Sequence, residues 1–97
     1  MILGRVIGEV WATRRHAALD GRKLLVVKPH LIYAGSADHV VAVDPVGAGV
    51  GEDVVVCLGD PARRQNGGGN LPWEASVCAI VDRVEITAKG QRPMSYP

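Results

Sequence analysis

Short runs of β-branched and apolar residues, broken by turn residues before any can become a long helix, constrain this chain most. "ILGRVIGEVWAT" places several apolar side chains at or near two-residue spacing, with Gly4 and Gly8 inside the run. Alternation of that kind reads as strand, and glycine inside a strand marks a bend, a bulge or a close backbone approach. "KLLVVKPHLIYA" reads as a second strand, bent or broken near Pro29, which has no N–H to donate to a ladder. "HVVAVDPVG" and "EDVVVCLG" read as the third and fourth strands, and "ASVCAIVDRVEITA" as the last. Between the first two, "RRHAALDGRK" is a connection in which Asp20-Gly21 signals a turn. In "DPARRQNGGGNLPW", Asp60 is placed to cap one helical turn holding Ala62, Arg63 and Arg64, with Pro61 at its first position. Gln65 to Asn70 follows as a polar, glycine-rich loop. No amphipathic helix is long enough for a βαβ unit. The expectation is therefore all-β: a small five-stranded barrel or sandwich with one short helical turn.

Size agrees with that architecture. A chain of 97 residues suits one domain. At this length roughly 65% of the unfolded surface is buried, enough for one small core that can lean on neighbours. The domain is expected over residues 1–88. The tail "KGQRPMSYP" (89–97) has too little apolar content to pack alone and is expected to be mobile or docked on a neighbouring subunit. Arg5 and Glu9 interrupt the apolar start too early for a secretory signal, and no apolar run approaches membrane-spanning length. Two cysteines do not make a disulfide framework, so a soluble, cytosolic protein with reduced thiols is expected.

"DPVGAGVGEDVVV" sets Gly47, Gly49 and Gly51 at alternate positions before a valine strand. A P-loop needs Lys and a hydroxyl after its last glycine, and here Glu52 stands there. A dinucleotide fingerprint opens a helix, and here a strand follows. Both phosphate readings fail, and the glycines are read as geometric, supplying positive φ or close approach of another backbone. His16, His30 and His39 lie in separate segments, and with Cys57 and Cys78 they show no zinc spacing. The cysteines are read as buried small hydrophobes and the histidines as exposed or partly exposed. No metal site, cofactor or catalytic residue is expected. Asp44 and Asp82 are read as bonding backbone or pairing with arginines, and Glu52 and Asp53 lie near strand ends without marking an acid–base pair. "TRRH" (13–16) and "ARR" (62–64) are basic clusters, read as solvated surface or subunit contacts. A net charge of +1 and four aromatic residues give little support for a nucleic-acid groove. A barrel holding single-stranded nucleic acid is the alternative function.

The same stretches, taken together, resemble the bacterial microcompartment vertex family, the ethanolamine-utilisation and carboxysome pentamer type. "GRVIGEVWATRRHAALDGRKLLVVKP" is similar to the family's V-x-G-x-V-x-A-T strand, basic pair, L-x-G turn and apolar strand. "VAVDPVGAGVGEDVVVCLGDPAR" is similar to its most specific segment, and "IVDRV" to its closing strand. The chain departs at Arg15, where the family commonly has Lys, at Asp60-Pro61, where it has serines, and at Ala79, where it often has Gly. The resemblance implies a barrel related to the oligonucleotide-binding fold and a non-enzymatic homopentamer. Its place would be the vertices of a polyhedral cytoplasmic shell tiled by hexameric shell proteins. It implies no cofactor and no nucleic-acid or membrane partner. It also implies that Gly47, Ala48, Gly49, Val50, Gly51 and Glu52 lie at a subunit interface or near the five-fold axis. Glu52 would then pair with Arg14, Arg15 or Arg63 of a neighbour, or hydrogen-bond backbone N–H groups. Thr13, Arg14, Arg15, Ala62, Arg63 and Trp73 are candidates for an interface or rim.

Overall fold

A computed structural model describes residues 1–11, 17–30, 39–65, 67, 74–86 and 94–95. Five strands close into a barrel: β1 (Ile2–Val10), β2 (Lys23–Pro29), β3 (Val40–Asp44), β4 (Asp53–Leu58) and β5 (Ala75–Val81). Around the barrel the order is β1-β2-β3-β5-β4, with β4 returning to β1. All contacts are antiparallel except β3–β5, which is parallel and rests on the single register pair Val43–Ser76. Closure leaves no edge strand in the barrel to recruit another chain. Helix α1 (Asp60–Gln65) bridges β4 and β5, and a one-turn 3-10 helix covers Ala17–Leu19.

Alternation sends Ile2, Val6, Leu25, Val27, Ala42, Val54, Val56, Ala75 and Val77 inward, and Val40 and Ile80 pack against them. Each fully buried valine or leucine contributes about 2 kcal/mol of apolar burial. The barrel is narrow, and Gly4 shows how narrow. A β-carbon there would lie 2.6 Å from Val27 Cγ1 and 2.8 Å from the Lys28 carbonyl oxygen. This is the close approach expected of a strand glycine. The β1–β2 register skips a residue between Val6 and Gly8, so Ile7 is extra and turns out to solvent. A second bulge lies where Val55 faces Ala79 and Val56 faces Val77, leaving Cys78 extra. That odd offset lets Val77 and Ile80 both serve the core.

The second strand stops at Pro29, where a break is expected, and residues 31–34 of that run lie outside the described residues. Two local expectations are corrected. The last strand is not continuous. β4 offers its final partner, Asp53, to Val81, and beyond it the chain turns at Asp82 and re-forms as β6 (Glu85–Ile86). β6 pairs with β7 (Met94–Ser95) as a separate two-stranded sheet. Finally, Cys57 and Cys78 are half-buried, not buried, because both lie on the outer wall. The short helix forms where Asp60-Pro61 place it and extends one residue further than read, to Gln65, whose Nε2 donates to the Val77 carbonyl at 2.7 Å. Among the described residues no helix is long and apolar enough to cross a membrane.

Candidate functional site

The segment from Asp44 to Glu52 is shaped first by its own polar groups. β3 ends because Pro45 follows Asp44 and cannot donate to a ladder. The buried Asp44 carboxylate then accepts from the Val46 and Gly47 amides through Oδ1, each at 3.0 Å. This is an aspartate-led turn, in which the side chain replaces the missing strand partner. Gly47 and Gly51 adopt φ of 97° and 92°, the left-handed region where a side chain is strained. Gly49 has no such φ. Its amide donates to Glu52 Oε1 at 2.7 Å, and the carboxylate sits where a β-carbon would begin to crowd it, at 3.4 Å. Of the two roles anticipated for Glu52, the backbone hydrogen bond is present within the chain.

The loop is then sewn to β1. The Gly51 amide donates to the Val6 carbonyl at 2.8 Å, and the Val6 amide donates to the Glu52 carbonyl at 2.9 Å. Ala48 is fully buried and joins the core, so the loop plugs the barrel. Lys23, which opens β2, holds the other side. Its Nζ donates to the Ala48 carbonyl at 2.6 Å and lies 3.7 Å from Glu9 Oε1 and 3.9 Å from Asp44 Oδ2. Asp44 Oδ2 has no hydrogen bond among the described residues, so the ammonium group is its compensation for burial. The loop exposes Val50, 61% at the tip, and Val46, 43%, together with Glu52. The arrangement is a stiff knuckle that presents two valines outward beside a carboxylate already bonded to the Gly49 amide. No acid–base pair or phosphate cradle is formed by it.

The remaining candidates are dispersed. Ala62, a residue of α1, is fully buried within its own chain. Thr13, Arg14, Arg15 and Trp73 lie outside the described residues, as does the Arg63 side chain. Asp53 is claimed by Arg5, in a two-pronged pair at 3.1 and 3.3 Å, and by His30 Nε2 at 3.0 Å. Asp44 takes the first of the two roles read for it, bonding backbone, and its ion pair is with a lysine. Sequence reasoning passed over Lys23 and Glu9, which looked like ordinary charges at strand ends. The signal that could have found Lys23 is the buried aspartate just before Pro45, which needs a cation. It also passed over Trp11, 87% exposed beside a hollow of about 360 Å³ lined by Val10, Leu19, Arg22 and Leu24.

A closed five-stranded barrel, capped by a glycine loop that sets Ala48 into its core, defines a small single-layer β-barrel protein. The chain belongs to the family described as "Ethanolamine utilisation protein EutN/carboxysome", whose model matches residues 1–82. It is 47% identical over 88 residues to the bacterial microcompartment shell vertex protein GrpN of Rhodospirillum rubrum (strain F11), covering 88% of this chain and 97% of GrpN. It is 39% identical over 90 residues to the carboxysome shell vertex protein CcmL of Synechocystis sp., covering 91% and 89%. Among solved structures, Gloeobacter violaceus CcmL superposes with a TM-score of 0.79 at 34% identity, over 96% of this chain and 94% of that one. These relatives carry the names of structural shell proteins, and the names give no support to a single-strand-binding barrel.

Proposed function

We propose that this chain forms homopentamers that close the five-fold vertices of a polyhedral bacterial microcompartment shell in the cytoplasm. Family membership across the barrel and the glycine loop carries the reading. A flat hexagonal layer cannot close on itself, and five-fold units supply the curvature. The pentamer acts as a non-enzymatic structural piece, and its rim meets hexameric shell proteins. The ring contact is heterologous: one surface of each subunit fits a different surface of the next. A stable contact of this kind buries on the order of 800 Å² per partner.

Within that ring the Asp44–Glu52 knuckle presents Val46 and Val50 to the neighbour or toward the axis. Its bonding supports the assignment, because a loop whose polar groups are met within its own chain, by Asp44, Glu52, β1 and Lys23, can offer the valines in a fixed shape. Thr13, Arg14, Arg15, Arg63 and Trp73, with the exposed Trp11, are assigned to the neighbour and rim contacts. The tail over 89–97, whose β7 pairs with β6 of its own chain, is assigned with that pair to docking on an adjacent subunit.

Native mass spectrometry of the purified chain over a range of concentrations tests the reading. The expected mass is that of five subunits, and a monomer at every concentration overturns it. Gly49→Val then tests the loop. The barrel is expected to remain folded, since only the end of the Glu52 side chain must move, while assemblies become smaller. An unaltered pentamer from that variant removes the loop from assembly.

A further inference from the structure

The bulge in β5 has a chemical result. Val54 and Val56 point into the barrel, so Cys57 points out, opposite Ser76. Cys78 is the extra residue between the partners of Val55 and Val56, and the bulge delivers it to the same outer wall. Two half-buried thiols therefore lie side by side on adjacent strands. The Cys78 thiol donates to the Val55 carbonyl at 3.4 Å. Burial first, and then the neighbouring Cys57, push Cys78 up to about 11 from an ordinary 9.0. Among the described residues no three His, Cys, Asp or Glu side chains converge, so a third ligand for a closed metal site is not present there.

We propose that Cys57 and Cys78 form a reversible intrachain disulfide when the protein meets a small-molecule disulfide oxidant such as oxidised glutathione. Cys57 is the entry thiol. Its thiolate, having given its proton to solvent, attacks one sulfur of the oxidant. A mixed disulfide forms and one glutathione thiolate leaves to take up a proton. Cys78 then loses its proton, attacks Cys57 Sγ and expels the second glutathione thiolate. Two protein thiols have been oxidised by two electrons, and one oxidised glutathione has become two reduced ones. The second step is the slow one, because the thiol held by burial must ionise first. The cross-link spans the segment that carries α1, and ties β4 to β5 beside the barrel's thinnest seam, the single parallel pair Val43–Ser76.

The experiment incubates the full chain in glutathione buffers of defined ratio, followed by acid quench, alkylation and intact-mass and peptide analysis. The expected product is a chain lighter by two hydrogens whose Cys57 and Cys78 peptides are joined. Cys78→Ser is expected to stop at a glutathione adduct on Cys57, and Cys57→Ser to gain adduct far more slowly, with circular dichroism showing both variants folded. Closure should speed up as pH rises from 7 to 9, because a thiolate carries out each exchange step. Two alkylatable thiols under oxidising buffer, a wild-type product that halts at the mixed disulfide, a link formed only between subunits, or closure indifferent to pH would each overturn the proposal. The readout is the same for a monomer and a pentamer, so it stands or falls apart from the shell reading.

Discussion

The knuckle over residues 44–52 and the outer wall of β4 and β5 are built from similar residues, valines and small side chains, yet they are specified in different ways. The knuckle is set by directed bonds: two amides on Asp44, one on Glu52, two backbone links to β1 and the Lys23 ammonium on the Ala48 carbonyl. The wall is set by alternation, apolar packing and one bulge. Directed bonds fix a shape atom by atom and are lost singly. Packing tolerates a shift of register, and at Cys78 it has absorbed one. A surface of fixed shape, such as the ring contact proposed for the knuckle, is better served by the first kind. The second leaves room for two thiols whose separation is not dictated by the core.

Breaking the packed side of this contrast gives the largest effect. Gly4→Val places a side chain against Val27 and against a backbone oxygen that cannot rotate away. A loss of about 3 kcal/mol in urea unfolding, with poor soluble yield, is expected. A variant of wild-type stability would show that the barrel is looser than its geometry.

Lys23→Met attacks the bonded side and costs less, about 2 kcal/mol, because the lysine is partly solvated while Asp44 is left buried without its cation. The sharper readout is hydrogen exchange. The Gly47 and Gly51 amides should exchange at least about tenfold faster, while amides of the barrel core such as Val27 and Val56 change little, as expected of local opening. Uniform acceleration across both regions would mean that knuckle and wall open as one unit, and the contrast would fail.

The smallest effect belongs to the thiol wall and depends on pH. Folded Cys78 keeps its proton to about pH 11, whereas in the unfolded chain it ionises near its ordinary 9.0. Between those values the unfolded state binds fewer protons, so stability present below pH 9 declines as pH rises toward 11. In Cys78→Ser the decline should be shallower over that window. Parallel curves for the two reduced proteins would remove the coupling between that thiol and folding.

Much of the barrel was legible in the sequence because its instructions are local. Alternating valines announce β3 and β4, Pro45 ends one strand, and Asp20-Gly21 turns the chain with Gly21 at a φ of 72°. Gly47 and Gly51 serve the backbone, as their setting before a strand suggested. The loop's partners were not legible in the same way. Lys23 lies 25 residues from Ala48, and only the pairing of β2 with β3 brings its ammonium to that carbonyl. The break after Val81 was hidden for a related reason: "VDRVEI" keeps strand character, and it is the end of β4 that withdraws the partner.

The sequence by itself determined the strand-forming runs, the turns between them and the family pattern that spans both, since backbone preference and side-chain alternation act within a few residues. The tertiary structure alone decided that Gly4 touches Val27, that Lys23 secures the knuckle, and that a one-residue bulge sets Cys78 beside Cys57. Register and closure join strands far apart in the chain, and a shift of one residue turns a side chain from the core to the wall.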